Sequence, residues 1–342
     1  MNPIIRRRHV LLGTAAMALP PLRRAQAAWP SKPVTLIVPF PAGGGTDAFA
    51  RPLAAQFSKL TGKTLVIDNR GGAGGTLGAS VAAKLPADGY NLFMGGAHHM
   101  VAPSMYPKLD YDIEKDFVPL IQVASVPQVL VVNAKRANAS NFKEFIELIR
   151  RSPGKLNYAS AGAGSVHHLA GELFKQQSKT FITHIPYRGA GPALQDLIAG
   201  NVDMAFDGLG SSANHIKGGR IKALMVAGKQ RSPAFPDVPC AAEVGLPDYD
   251  VQTWYGLWAP KGTPAEAQAA AIEAVRKACQ EPEAKTVWAG QGAEFPNVAG
   301  PQFAQESRYC HLSTRGIAAC AEQGFKRVVL IDTSDGRVLE RF

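Results

Sequence analysis

"VTLIVPFPAGGGTDAFA", residues 34–50, decides how the chain is read. The run from Val34 to Phe40 is apolar and β-branched, the composition of a buried strand. Gly43, Gly44 and Gly45 interrupt it, and a helix-compatible stretch follows. A strand that enters a helix through a glycine turn leaves the first helical N–H groups without partners, at the positive end of the dipole. That is an anion site whatever the anion. Gly43 to Ala48 also fits G-x-G-x-x-A, and Asp68 closes the next apolar run near the place of a ribose-binding acid. Against a dinucleotide, Pro39 and Pro41 stiffen the turn and remove donors, and Asp47 sets a carboxylate beside any pyrophosphate. The dinucleotide reading is the weaker of the two.

The same logic recurs in "NYASAGAGSVHHLAGELF", residues 157–174. A strand again passes through glycines into a helix, with Ser160, Gly162, Gly164 and Ser165 at its entrance as contact candidates. The bland alternative is that these glycines only permit tight turns. A third glycine-rich segment, "DNRGGAGGTLGA" (68–79), carries Arg70, read as tying the loop to its own lobe in preference to gripping a carboxylate.

Outward from these loops, short β-like runs alternate with helical stretches, which reads as α/β with largely parallel sheets. Expected strands are 34–40, 64–68, 91–95, 129–133, 156–159, 183–185, 202–206 and 221–226. Expected helices are 48–60, 77–85, 142–151, 167–176 and 193–199. "NFKE" (141–144) and "TPAE" (263–266) read as helix-capping boxes. One βα series ends near "ASVPQVLVV" (124–132), and the aromatic "YDVQTWYGLWAPKGTP" (249–264) leads back. Two crossings make two lobes, 28–126 plus 254–342 and 127–253, with a cleft between them of the kind that small ligands favour.

Residues 1–27 read as an export signal: Arg6, Arg7 and Arg8, an apolar stretch, then Ala25-Gln26-Ala27. "RRHVL" resembles a twin-arginine signal as much as an ordinary secretory one. The apolar stretch is too short to span a bilayer. The formal charge of the whole chain is +10. Without the signal's five arginines, 32 basic residues face 27 acidic ones. A modest positive balance without long basic runs suits anions and gives no nucleic-acid footprint. Cys240, Cys279, Cys310 and Cys320 show no C-x-x-C spacing. One disulfide among the last three and buried free thiols both remain open.

Enzyme signatures are thin. Neither G-x-S-x-G nor H-E-x-x-H occurs, and His168 with Glu172 lacks further metal ligands. No cofactor and no metal are expected. His98 and His99 read as satisfied loop histidines before rim contacts, and Trp254, Tyr255 and Trp258 as packing before a stacking platform.

Several ordered motifs, including "WPSKPVTLIVPFPAGGGTDAFAR", "YASAGAGSVHHLAGELF", "HIPYRGAGPALQDLIAGNVDMAFD" and "WYGLWAPKGTP", resemble the Bug family. These are substrate-binding receptors of tripartite tricarboxylate transporters, and the resemblance runs from about Trp29 to Phe295. It implies a monomeric type II periplasmic-binding-protein fold, α/β with a ligand cleft between two lobes, that captures a small organic carboxylate. Its partners would be inner-membrane transporter subunits or a sensor protein. Carried over, Pro41, Ala42, Gly43, Gly44 and Thr46 cradle the ligand from one lobe. Ser160, Ala161, Gly162, Gly164 and Ser165 do so from the other. Asp47 matches a loop acid, and Tyr187 and Asp207 match positions that line the cleft. Cys240 stands where the family has Thr, His167–His168 where a small polar residue precedes His, and the tail after Gly300 departs from the family's last helix. The readings from other classes are a periplasmic oxidoreductase with a nucleotide cofactor and a ligand-sensing partner of a membrane signalling protein.

Overall fold

The computed structural model describes residues 29–135 and 139–308, and beyond them the backbone of three short strands. The proposed signal and Cys310 lie outside the described residues. β1 (Val34–Val38) is apolar throughout because both its faces are covered. Val34, Leu36 and Val38 enter one core and Ile37 enters another on the opposite face of the sheet. α1 (Gly45–Thr61) lays Phe49, Leu53 and Phe57, spaced one turn apart, into the first core. It stops at Gly62, whose φ of 67° is left-handed. β2 (Leu65–Asn69), α2 (Thr76–Ala83), β3 (Asn91–Gly96) and α3 (Ala97–Met105) complete the first series.

β4 (Phe117–Asn133) then crosses from one half of the molecule to the other. In the second half lie α4 (Phe142–Arg151), β5 (Asn157–Ser160), α5 (Val166–Ser178) and β6 (Thr183–Pro186). They are followed by α6 (Ala190–Ala199), β7 (Met204–Gly208), α7 (Leu209–Lys217) and β8 (Ile221–Val226). The chain returns through β9 (Gln252–Pro260) to α8 (Ala265–Gln280), α9 (Pro282–Ala289) and α10 (Gly300–Arg308). β10 (Cys320–Glu322), β11 (Arg327–Ile331) and β12 (Val338–Arg341) pair antiparallel with one another.

Up to Pro127, β4 pairs with β9; from Gln128 onward it pairs with β7. The first lobe thus has strand order β2-β1-β3-β9-β4, and β4-β7-β5-β6 with β8 flanking β4 makes the second. The sheets are mixed where largely parallel ones were expected. β2, β1 and β3 run parallel, as do β6, β5 and β7, but β9 is antiparallel to β3 and β4. A strand that carries the chain directly back beside the outgoing one needs no crossover helix, so it pairs antiparallel.

Asn141 caps α4 as expected: its side chain accepts from the N–H of Glu144 at 3.0 Å, and the Glu144 carboxylate accepts from the N–H of Ser140. The box at 263–266 does not form. Thr263 donates its hydroxyl to the carbonyl of Pro260, and Pro264 takes the cap position. At the other end, α10 seats Phe303 between Trp254 and Trp258, with ring centroids 5.9 and 5.1 Å away. Cys240 and Cys279 are buried free thiols.

Candidate functional site

The two glycine turns face each other across the cleft. Gly44, Gly45 and Thr46 at the start of α1 line one wall; Ala161, Ser165, Val166 and His167 at the start of α5 line the other. Phe40, His98, Ala190, Thr253 and Tyr255 close the remaining sides. The enclosed space is only about 20 Å³, against roughly 300 Å³ or more for a site that engulfs a small molecule. The lobes are drawn together: Tyr106 of the first donates to the carbonyl of Ala163 in the second at 2.7 Å.

In the first loop, Asp47 does not face the cavity. Its buried carboxylate takes the Arg51 guanidinium through both oxygens (2.6 and 3.0 Å), the amide of Asn69 and the N–H of Gly43. One loop amide is therefore held by the protein itself, and Gly44, the N-cap of α1, offers no side-chain cap. The first-turn amides from Gly45 onward remain for a guest, as helix geometry requires. Pro41, Ala42 and Gly43 form the outer edge of this wall, where Gly189 and Gly191 of the second lobe pack against Pro41, Ala42 and Gly43. Arg70 pairs with Asp68 at 2.8 Å, within its own loop.

The second loop is more occupied. The Ser160 hydroxyl meets His184 Nε2 at 2.6 Å and accepts from the N–H of Gly162. Ser165 donates to the carbonyl of Gly162 at 2.6 Å and caps the N–H of His168. Gly164 donates its N–H to His168 Nδ1 at 3.2 Å. Ser160, Gly162 and Gly164 thus shape the turn, while Ala161 and Ser165 border the cavity. Tyr187 also turns aside, its hydroxyl bonded to Asp196 at 2.6 Å. Asp207 sits behind the wall: one oxygen accepts from Ser211 and Ser212, and the other lies 3.2 Å from His167 Nδ1. His168 and Glu172 stand 4.0 Å apart, but Glu172 is engaged by Tyr158 and Lys175. Among the described residues no cluster of three or more His, Cys, Asp or Glu is placed to hold a metal.

His98, His167 and Tyr255 are cavity residues that the sequence reading left out of the site. His99, by contrast, is satisfied. Its Nδ1 accepts from the N–H of Gly96 and its Nε2 meets the carbonyl of Gly75. Burial pushes the imidazoles of His99 and His168 down to about 4. Both are neutral in the folded protein and near the ordinary 6.5 when unfolded. Their contribution is complete above pH 6.5 and is lost as pH falls from there toward 4, at about 1.4 kcal/mol per pH unit for each. Urea unfolding at pH 7.5 and 5.0 is expected to show the lower stability at pH 5.0; equal midpoints would contradict the burial of these rings.

Two α/β lobes joined by paired crossing strands, with helix starts from both lobes opening onto one cleft, define a periplasmic binding protein. Residues 49–308 match the tripartite tricarboxylate transporter family receptors, and the chain belongs to that family, which is one of binding receptors. A "UPF0065 protein in tcbD-tcbE intergenic region" of Pseudomonas sp. (strain P51) is 42% identical over 266 residues, covering 76% of this chain and 78% of the relative. "Protein BugT" of Bordetella pertussis (strain Tohama I) is 35% identical over 294 residues, 85% of this chain and 89% of its own. The solved structure of MatC from Rhodopseudomonas palustris with bound malate is 36% identical. It superposes with a TM-score of 0.76 over 82% of this chain and 97% of MatC. No helix among the described residues is long and apolar enough to cross a membrane.

Proposed function

We propose that this receptor captures a small organic carboxylate between its lobes and presents the closed form to the membrane subunits of a tripartite transporter. The observation that carries the reading is the meeting of two helix N-termini, one per lobe, in a single cleft. Unpaired first-turn amides from both sides act as fixed dipoles that a carboxylate completes. The malate bound to MatC accords with this chemistry. The carboxylate rests on the amides of Gly45 and Thr46 from one lobe and of Val166 and His167 from the other, beside Gly44, Ala161 and Ser165. Asp47, Ser160, Gly162, Gly164 and Tyr187 hold the walls in shape, and Asp207 stands 3.2 Å behind the His167 ring. Among the described residues the lobes divide as 29–126 plus 254–308 and 127–253, hinged where β4 changes partners. Export by the signal at 1–27, cleaved after Ala27, places the receptor in the periplasm. Because the closed cleft is so small, a guest enters an open form, and contacts made by both lobes shift the equilibrium toward closure.

A thermal-shift panel of malate, citrate, glutamate, benzoate and NAD on the mature protein tests the proposal. One or more of the acids is expected to raise the melting temperature. A rise with NAD and with none of the acids would overturn it.

A further inference from the structure

His98 stands apart among the buried groups of the cleft. It is 5% exposed, lines the cavity, and has no hydrogen-bond partner at Nε2. A buried imidazole nitrogen without a partner is costly unless something else meets it. Its neighbours offer nothing to fill that role. The Phe40 ring lies 5.1 Å away and the His99 ring 3.9 Å, while His99 spends both its nitrogens on the backbone. Facing it from α5 is His167, which also lines the cavity and is backed by Asp207. The β1–α1 loop contributes Asp47, turned away onto Arg51. Residues 73–75 bring no ionisable side chain, and β9 brings Tyr255.

We infer that His98 Nε2 reads the second acidic group of the guest, taking up one proton from solvent as the cleft closes on a dicarboxylate. The inference rests on the receptor reading above and refines it. With one carboxylate on the amides of α1 and α5, a second carboxylate of a short guest falls among His98 and His167. His98 is the second residue of α3, so the helix dipole disfavours its charge until an anion arrives. Burial, and the neighbouring His99 and His167, lower its proton affinity well below the ordinary value in the guest-free protein. Burial lowers the proton affinity of His167 as well, but Asp207, 3.2 Å from its Nδ1, opposes that whether or not a guest is bound, an offset that His98 lacks. A guest with one carboxylate leaves His98 neutral and its nitrogen unmet; a dicarboxylate supplies the missing charge. Binding is then linked to protons and tightens as pH falls.

Isothermal titration of the mature protein with L-malate and with lactate, in two buffers of different ionisation enthalpy, measures this linkage. For malate at pH 7, uptake of a substantial fraction of one proton is expected, with affinity rising toward tenfold per pH unit between pH 8 and 6. Lactate is expected to bind weakly and with little uptake. His98→Gln keeps a neutral donor at the place of Nε2 but cannot be protonated. It is expected to bring the malate uptake close to zero, with affinity near wild type at pH 8 and at least tenfold weaker at pH 6. His215→Gln, on α7 and outside the cavity lining, is expected to keep the uptake. Circular dichroism confirms the fold of both variants, and His98→Asn replaces His98→Gln if the latter does not fold. Malate binding without uptake, or uptake that survives the loss of His98, overturns the role of His98 and leaves the receptor reading intact. Failure of every acid to bind overturns both.

Discussion

Gly45→Ala is expected to lower the stability of the receptor by about 1–3 kcal/mol, the usual cost of overpacking a filled core, and to weaken ligand binding at least tenfold. Gly45 opens α1, and a Cβ there would fall on the hydroxyl of Tyr255. The hydroxyl cannot withdraw easily. Tyr255 is 3% exposed, on a strand paired on both sides, with its ring 5.0 Å from Phe49. The next nearest atoms to that Cβ are the Tyr255 ring carbon Cζ at 3.5 Å and Ser211 Oγ at 3.6 Å, both ordinary contacts. The conflict is therefore with a single oxygen atom. Tyr255→Phe removes that oxygen, so the double variant is expected to recover most of the stability lost by Gly45→Ala. Denaturant midpoints of the wild type, both single variants and the double variant close the cycle. Additive losses would show that Gly45 is needed for some reason other than this contact. Backbone conformation offers no rival explanation, because the helical backbone at Gly45 suits alanine as well.

How much of this was legible in the sequence depends on how local each signal is. The glycine turns were readable because strand, turn and helix start lie within about fifteen residues. β8 and α4 match their expected limits at 221–226 and 142–151, the latter because Asn141 and Glu144 cap it. The first half of β4 was hidden by Pro119 and Pro127, which argue against a central strand. The strand accommodates its irregular start through register shifts at 119–121 and 122–124. β9 looked like an aromatic connector because eight of its nine residues are buried and no alternation is visible. α3 was missed because Pro103 interrupts its pattern.

The site divides in the same way. Sequence put Asp47 and Tyr187 in the cleft, yet both meet partners four to nine residues away that no motif advertises. His98 reads from sequence as a satisfied loop histidine and Tyr255 as packing, because their cleft position depends on how the chain returns through β9 and how the lobes meet. Periodicity cannot carry that information. The reading of both loop histidines as satisfied holds at His99, where backbone groups reach both nitrogens, and fails at His98, whose Nε2 has no partner.

Gly74→Ala is expected to act on closure where Gly45→Ala acts on folding. Gly74 belongs to the first lobe, and a Cβ there would run into the carbonyl of Ala163 and come within 2.7 Å of the Tyr106 hydroxyl. Those two groups form one of the hydrogen bonds between the lobes, the other side-chain bond away from the crossing strands being that of Lys217 to the carbonyl of Gly290. Its φ of 61° also adds about 1 kcal/mol of strain for alanine, spread over open and closed forms alike. The steric conflict with Ala163 is different, because Ala163 belongs to the second lobe and opening the cleft moves its carbonyl away from Gly74. The unliganded melting temperature should fall only slightly, while apparent affinity for the guest falls roughly 10- to 100-fold, the 1–3 kcal/mol of an overpacked contact. Small-angle scattering at saturating ligand should find the variant more expanded than the wild type, since the conflict with Ala163 penalises the closed form alone. A variant that melts far below wild type yet closes normally would place the conflict of Gly74 within its own lobe and overturn its role at the lobe interface. The contrast between the two glycines follows from which lobe supplies the nearest atom that each Cβ would meet, Tyr255 of the same lobe for Gly45 and Ala163 of the opposite lobe for Gly74.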